Sequence, residues 1–319
     1  MTEVDEDEDS EIAEDDGSPL LSPGELAELD RLRRHLALRT ATEGQGTQAS
    51  RRRGQSPEFV DHRAYAPGDD LRRLDWNVLA RSNQTVIKRY RAEEEAAVRI
   101  ALDISGSMST GRPQKLGLAR RVAAAVSYVA LADGERAQIA TITSRGVEVT
   151  APKRGRGQYG AVRNRIERAL AEPPPTRADE VRPIAPEPTM VELLSRVGRA
   201  GVLVLVTDAL APNGDVDAWP RAIARARASG HDVRLVQILA PEDLDPPWDG
   251  DLELVDAESG GSVDVTFDAE ARAEYARRLE TLVTALREGC RRAKATYVRA
   301  RSDETVIPVI RRLAGGSID

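Results

Sequence analysis

An α/β fold, doubly wound around a mostly parallel sheet, is predicted by three features of the sequence. The run Val98–Met108 (VRIALDISGSM) has a buried-strand pattern at Val98, Ile100 and Leu102 and turns abruptly polar at Asp103. Lys115–Ala132 follows, apolar at Leu116, Ala119, Val122, Ala123, Val126, Val129 and Ala130, which is helix spacing with an unusually wide apolar face. Gly201–Val206 (GVLVLV) is continuously apolar, as a parallel strand covered on both faces must be, and helix and strand alternate beyond it.

Ahead of that domain the chain divides by composition. Residues 1–18 form an acidic tail, expected to be disordered because like charges repel and little can be buried. Ten acidic side chains and no basic one lie within residues 1–16; they outweigh the net charge of −7 and leave the remainder at +3. Residues 19–40 are expected to hold a helix opened by the capping box Ser22-Pro23-Gly24-Glu25, with Leu26, Leu29, Leu32 and Leu36 to one side. Residues 41–56, rich in Gly, Gln and Ser, read as a linker. Residues 57–95 read as a hairpin extension. In it, Pro67-Gly68-Asp69-Asp70 makes a turn, Trp76–Leu79 and Thr85–Arg91 are extended, and Trp76 is packed. Its alternating arginines and aspartates make either a self-paired network or a docking surface.

The main domain spans 96–319. After the first helix come strands at Ala137–Thr143 and Val147–Thr150 and a helix at Ala161–Ala171. A helix opening at Thr189 precedes the GVLVLV strand. Beyond it lie a helix at Val216–Ser229, a strand at Asp232–Leu239, short strands at Leu252–Asp256 and Val263–Phe267, a helix at Ala269–Ala293, and a strand at Thr296–Arg301. Asp303 is expected to cap a terminal helix in which Pro308 is awkward. Gly155–Gly160 matches G-x-G-x-x-G, but Pro173-Pro174-Pro175 stands where a dinucleotide fold needs its next strand.

Composition removes several functions. The single cysteine, Cys290, excludes an internal disulfide and a Cys-rich zinc site, and its place in a helix suits a packed thiol. No apolar run approaches the roughly 18–20 residues that span a bilayer, so a soluble, cytoplasmic protein is expected. Aromatic residues, 3% of the chain, are too few for a base-stacking surface, which argues against nucleic acid. Ser105 and Ser107 lack a G-x-S-x-G elbow, and Lys115 lacks the surroundings of a Walker A lysine. Of the three histidines, His35 and His231 are expected away from the polar loop, and His62 fits a structural hydrogen bond.

The chemistry is concentrated in Asp103-x-Ser105-x-Ser107. One carboxylate and two hydroxyls at alternate positions of a turning loop offer hard oxygen ligands, which suit Mg²⁺ or Mn²⁺. The same groups can equally cap the next helix and satisfy loop amides. With the strand before it and the helix after it, the motif resembles the metal-ion-dependent adhesion site of von Willebrand factor A-like domains. Upstream, Glu58–Trp76 (EFVDHRAYAPGDDLRRLDW), followed by Ala80-Arg81, resembles the signature of the bacterial domain of unknown function family fifty-eight. The resemblance runs from about Gly54 to the C-terminus.

That resemblance implies two further ligands, a Thr ahead of a helix and an Asp after a buried strand. Thr189 and Asp208 match by position, although Thr189 with Glu192 also forms a capping box. The expected function is therefore non-enzymatic: an interaction module in which Asp103, Ser105, Ser107, Thr189 and Asp208 hold Mg²⁺ (or Mn²⁺) and a partner's acidic residue completes the coordination. The partner implied is a MoxR-type AAA+ ATPase. The alternative is a Mg²⁺-dependent hydrolase acting on phosphoesters, which would need a base beside the attacking water.

Overall fold

The computed structural model describes residues 19–33, 59–66, 74–90, 97–169, 184–210 and 214–315. The tail, the linker, the Pro67–Asp70 turn and the Pro173–Pro175 stretch lie outside the described residues. The chain divides into two compact units, residues 1–40 with 96–319, and residues 41–95.

Helix α1 (Pro23–Leu32) belongs to the larger unit. Its capping box is present as expected, with the Ser22 side chain accepting from the Glu25 N–H and the Glu25 carboxylate accepting from the Ser22 N–H. In the smaller unit β1 (Phe59–Ala64) pairs antiparallel with β2 (Val86–Tyr90), and α2 (Trp76–Ser82) lies between them. The extended segment expected at Trp76–Leu79 is thus a helix. The Asp75 carboxylate caps it by accepting from the N–H groups of Asn77 and Val78, and Asn83 ends it in the left-handed conformation. Trp76, at the first helical position, is 62% exposed rather than packed.

The larger unit continues with β3 (Ala97–Asp103), a 3₁₀ turn at Gly106–Ser109, α3 (Lys115–Ala132), β4 (Arg136–Thr143), β5 (Gly146–Val149), β6 (Lys153–Arg154) and α4 (Tyr159–Glu167). After α5 (Pro186–Val197) come β7 (Val202–Thr207), α6 (Ala218–Ala228), β8 (Asp232–Leu239) and the short α7 (Pro241–Leu244). A ribbon of β9 (Gly250–Val255) and β10 (Ser262–Phe267) precedes α8 (Ala269–Arg292), β11 (Thr296–Arg301) and α9 (Val306–Gly315).

The main sheet has the order β11-β8-β7-β3-β4-β5, with β6 paired to β4. The strands β11, β8, β7, β3 and β4 are mutually parallel, and β5 and β6 run antiparallel at one edge. The chain goes from β3 to β4 on one side, then returns to lay β7 on the other. The strand order therefore reverses between β3 and β7, and in open α/β sheets the carboxyl ends of the strands at such a reversal are where ligands bind. Val98, Ile100 and Leu102 of β3 point to one core with α3 and α9, whereas Ala101, Leu203 and Leu205 point to the other with α5, α6 and α8. Burial of both faces is why β7 reads as a continuous apolar run and β3 as one broken only by Arg99.

The wide apolar face of α3 has a direct cause, because α1 covers the side turned away from the sheet. Leu29 is fully buried in the same core as Val122 and Val129. Around it Tyr128 donates to Asp30 at 3.0 Å, and Arg121 and Arg156 pair with Glu25 and Asp30. The Gly155–Gly160 segment thus serves α1: Arg156 also lies 5.3 Å from the Tyr128 ring centroid. Cys290 is buried, with its thiol pushed up to about 12 by that burial.

Three helix starts differ from expectation. Helix α5 begins at Pro186, so the Thr189 N–H already bonds the Ala185 carbonyl and there is no Thr189–Glu192 capping box. Helix α4 begins at Tyr159. Asp303 does not cap α9; its carboxylate holds Arg301. Pro308 stands in the first turn of α9, where its missing N–H costs no helical bond.

At the amino-terminal edge of the sheet, His231 is buried and bonded to the Gly201 carbonyl, with the Arg99 guanidinium nearby. Burial, and then Arg99, push its pKa down to about 4. An unfolded chain protonates this imidazole near pH 6.5, whereas the folded one resists until about pH 4. Folding therefore loses stability from this group as pH falls through that window, on the order of 2 kcal/mol. Denaturant midpoints compared at pH 7 and 4.5 should show this loss in the native chain and a smaller one in His231→Asn.

Candidate functional site

The loops at the carboxyl ends of β3 and β7 take their geometry from the strands beneath them. Strand β3 ends at Asp103, which is buried, and the chain turns so that the Ser105 N–H donates back to Asp103 Oδ1 at 3.0 Å. The turn also brings the Ser105 and Ser107 hydroxyls to 3.2 Å from each other. On the neighbouring strand, the Thr207 hydroxyl donates to Asp103 Oδ2 at 2.7 Å, tying the ends of β3 and β7 together. Asp208 follows, also buried, with Oδ1 accepting from the Leu210 N–H at 3.2 Å. Its carbonyl accepts from Gln237 Nε2 at 3.0 Å, and Gln237 is in turn held by Tyr297 at 2.6 Å. Ala209, wholly buried, takes φ of 58°, a backbone conformation costly for a side-chain-bearing residue.

Lys115, at the start of α3, is 1% exposed, and its ammonium donates to Asp208 Oδ2 at 2.9 Å. The same ammonium lies 3.4 Å from Asp243 of α7. Burial pulls the Lys115 pKa down, but the two carboxylates outweigh it and raise the pKa overall, so the amine is charged. One cation thus joins three loops at the carboxyl edge of the sheet.

Glu258 enters from the β9–β10 turn. It is half-buried, and its carboxyl is pushed up to about 7 by burial and then by Asp103, Asp208 and Asp256. Asp103 is likewise pushed up to about 6 by burial and by Asp208. Among the described residues neither Asp103 nor Glu258 has an ion-pair partner. The site therefore has more carboxylate than Lys115 can neutralise, and its other donors are hydroxyls.

Of the residues expected from sequence, the structure brings Asp103, Ser105, Ser107 and Asp208 together at the carboxyl edge of the sheet. Thr189 lies in the first turn of α5, and among the described residues no hydrogen bond joins it to those four. The hydroxyl bonded to Asp103 is that of Thr207. Three participants escaped the sequence reading. Thr207 sits beside Asp208 at the end of the strand and needed only the register to identify it. Lys115 is one of four lysines in a chain whose basic residues are otherwise arginine, which was a usable signal. Glu258, fifty positions beyond Asp208 in an exposed ribbon, carried none.

As to an ion, the donors fit a hard divalent cation: carboxylate and hydroxyl oxygens with no imidazole or thiolate. Among the described residues no three His, Cys, Asp or Glu side chains close into a metal cage, so such an ion would rest on the serine hydroxyls as well.

Removing the cation that is present should be costly. Lys115→Met leaves Asp208 buried without its partner, and a loss of about 3 kcal/mol in unfolding free energy is expected from urea denaturation. Asp208→Asn added to Lys115→Met should recover part of that loss.

Known proteins resemble this chain over much of its length. The chain is 31% identical over 228 residues to "Uncharacterized protein Rv1480" of Mycobacterium tuberculosis, covering 70% of this chain and 68% of that one. It is 34% identical over 90 residues to "Uncharacterized protein MAV169" of Mycobacterium avium, covering 28% and 50%. Among solved structures, an aerotolerance-related membrane protein from Bacteroides fragilis aligns over 69% of this chain and 98% of its own, with 18% identity and a TM-score of 0.37. BatB from Bacteroides thetaiotaomicron aligns over the same shares, with 16% identity and a TM-score of 0.37. The family described as "Protein of unknown function DUF58" matches residues 61–282, from the hairpin across the β3 and β7 loops into α8, and the chain belongs to that family.

Proposed function

We propose that this chain is a non-enzymatic, metal-dependent protein-interaction module of the von Willebrand factor A-like kind. Asp103, Ser105, Ser107 and Asp208 would hold Mg²⁺ or Mn²⁺, with Thr189 included on the strength of the resemblance alone. The observation that carries the reading is the convergence of the Asp103–Ser107 loop with Asp208 at the strand-order reversal, where buried carboxylate exceeds its counter-charge. A bound ion would supply positive charge there and a coordination position for an acidic side chain of a partner. The residues' own work is separable from it: Thr207 and the Ser105 amide orient Asp103, and Lys115 fixes Asp208. The family resemblance suggests a MoxR-type AAA+ ATPase as the partner and a cytoplasmic adaptor as the role. Among the described residues no helix is long and apolar enough to cross a membrane.

A second reading, a Mg²⁺-dependent phosphoester hydrolase, is favoured by one observation. Glu258, with its carboxyl pushed up to about 7 beside Ser107, has the acidity of a general base. Phosphoester turnover that disappears in Asp103→Ala would select this reading over the first.

For the interaction module, Mg²⁺ or Mn²⁺ at ten times its dissociation constant should add about 1.4 kcal/mol of stability, a rise of a few degrees in Tm. Asp103→Ala, and Ser105→Ala combined with Ser107→Ala, should remove that rise without unfolding the chain. The same variants and EDTA should each abolish binding to the candidate ATPase. An equal Tm response to Mg²⁺ in the variants and the native chain would exclude the site.

A further inference from the structure

The β9–β10 ribbon belongs to no other sheet, and two strands alone are at most marginally stable. It is held at its two ends. At the base Phe267 packs edge-on against Tyr275 of α8 at 6.5 Å, and Arg272 lies 5.1 Å from the Phe267 ring centroid and donates to the carbonyls of Pro246 and Trp248. At the tip the Ala257 carbonyl lies so close to Gly106 that a Cβ there would overlap it. Between these ends the ribbon is open. Of the seven large apolar side chains exposed among the described residues, four, Trp248, Leu254, Val255 and Val263, lie on it or just ahead of it. Such a concentration marks a contact surface, whereas single exposed apolar residues need no explanation.

Register sorts the ribbon into two faces. Leu252 stands opposite Val265 and Leu254 opposite Val263, so these four side chains share one face, with Phe267 at its base. On the other face Asp251 is opposite Thr266, whose hydroxyl donates to it at 2.7 Å, and Glu253 is opposite Asp264. Like charges directly opposite each other weaken a ladder that is already marginal. Among the described residues Asp251, Glu253 and Asp264 have no ion-pair partner, although carboxylates elsewhere, such as Glu187, Asp215, Glu274 and Asp303, are each paired with arginine. The neighbouring sequence supplies no cation: residues 235–271 hold eleven Asp and Glu and no Lys, Arg or His.

We propose that this ribbon is a docking surface for an extended segment of a partner protein in which apolar residues alternate with Lys or Arg. A strand added along a free edge of the ribbon sends successive side chains to opposite faces. Its apolar residues would extend the face of Leu254 and Val263, and its cations would meet Asp251, Glu253 and Asp264 on the other. Charge complementarity selects this occupant. A second copy of the ribbon would set acid against acid, and a wholly apolar strand would leave the three carboxylates unpaired. The ends fixed at α8 and Gly106 shape the ribbon in advance of the contact. This surface is independent of any ion at the Asp103–Ser107 loop.

The test titrates the full chain with a synthetic peptide of alternating Val and Lys, long enough to span one strand, beside a peptide of the same composition with its Lys in one block. The native chain should bind the alternating peptide about tenfold more tightly than the blocked one. Glu253→Gln with Asp264→Gln should weaken binding about tenfold and flatten its salt dependence, in a variant that also firms the ribbon by removing the like-charge pair. Leu254→Ser with Val263→Ser should weaken it by a similar factor and leave the salt dependence as it was. In hydrogen exchange the alternating peptide should slow amides within residues 250–255 or 262–267. Absence of binding, equal binding by the native chain and both double variants, or slowed amides only outside the ribbon would overturn the proposal; equal binding would place the peptide on another acidic stretch such as residues 1–18. A native chain that sediments as a dimer, and as a monomer in Leu254→Ser with Val263→Ser, would make the occupant a second copy and overturn it as well.

Discussion

A buried ammonium holds the carboxyl edge of the sheet together. Lys115 is the first residue of the central helix, and its charge is satisfied by Asp208 after β7 and by Asp243 of α7. Lysine suits the place because its charge is compact and its donors rotate, so one nitrogen can serve carboxylates arriving from two loops. Such a pair contributes little net stability once desolvation is counted, but it is expensive to break. Its consequence is positional: the start of α3, the β7 loop and α7 cannot separate without uncovering a charge.

The rest of that edge depends on the clamp. With one Asp208 oxygen held by Lys115 and the other by the Leu210 amide, the strained backbone at Ala209 is over-determined and persists. Thr207 then meets Asp103 across the β3–β7 boundary, and Asp103 orders the serine turn through the Ser105 amide. Charge does not balance, however. Asp103 and Glu258 add carboxylate that Lys115 does not reach, and both are pushed towards neutrality. A surplus of buried carboxylate among hydroxyls is what a divalent cation would relieve.

The sequence carried the architecture because burial on two faces leaves a one-dimensional trace. Val202–Val206 is apolar without alternation, Val98–Leu102 is broken only by Arg99, and α3 is apolar over a wide face since α1 covers its far side. Motif spacing likewise carried Asp103, Ser105 and Ser107, which are neighbours in the chain. The reading failed where local signals competed. Asp75 and Asn83 are good helix caps, and they outweigh the β-like look of Trp76–Leu79. At α5, Pro186 opens the helix a turn earlier than Thr189 could, because proline at the first position is pre-organised for it.

The sequence by itself determined the α/β class with its mostly parallel sheet, the polar loop after β3 and the Asp after β7, because each is written in residues close together or in periodicity. Only the tertiary structure decided what else stands at that loop. Lys115, Thr207 and Glu258 reach it from a helix start, a neighbouring strand and a distant ribbon, and no local pattern records such meetings. Strand order does: laying β7 beside β3 brings Asp208 to Asp103, and the chain length from β8 to α8 is what lets a turn fold back over Gly106.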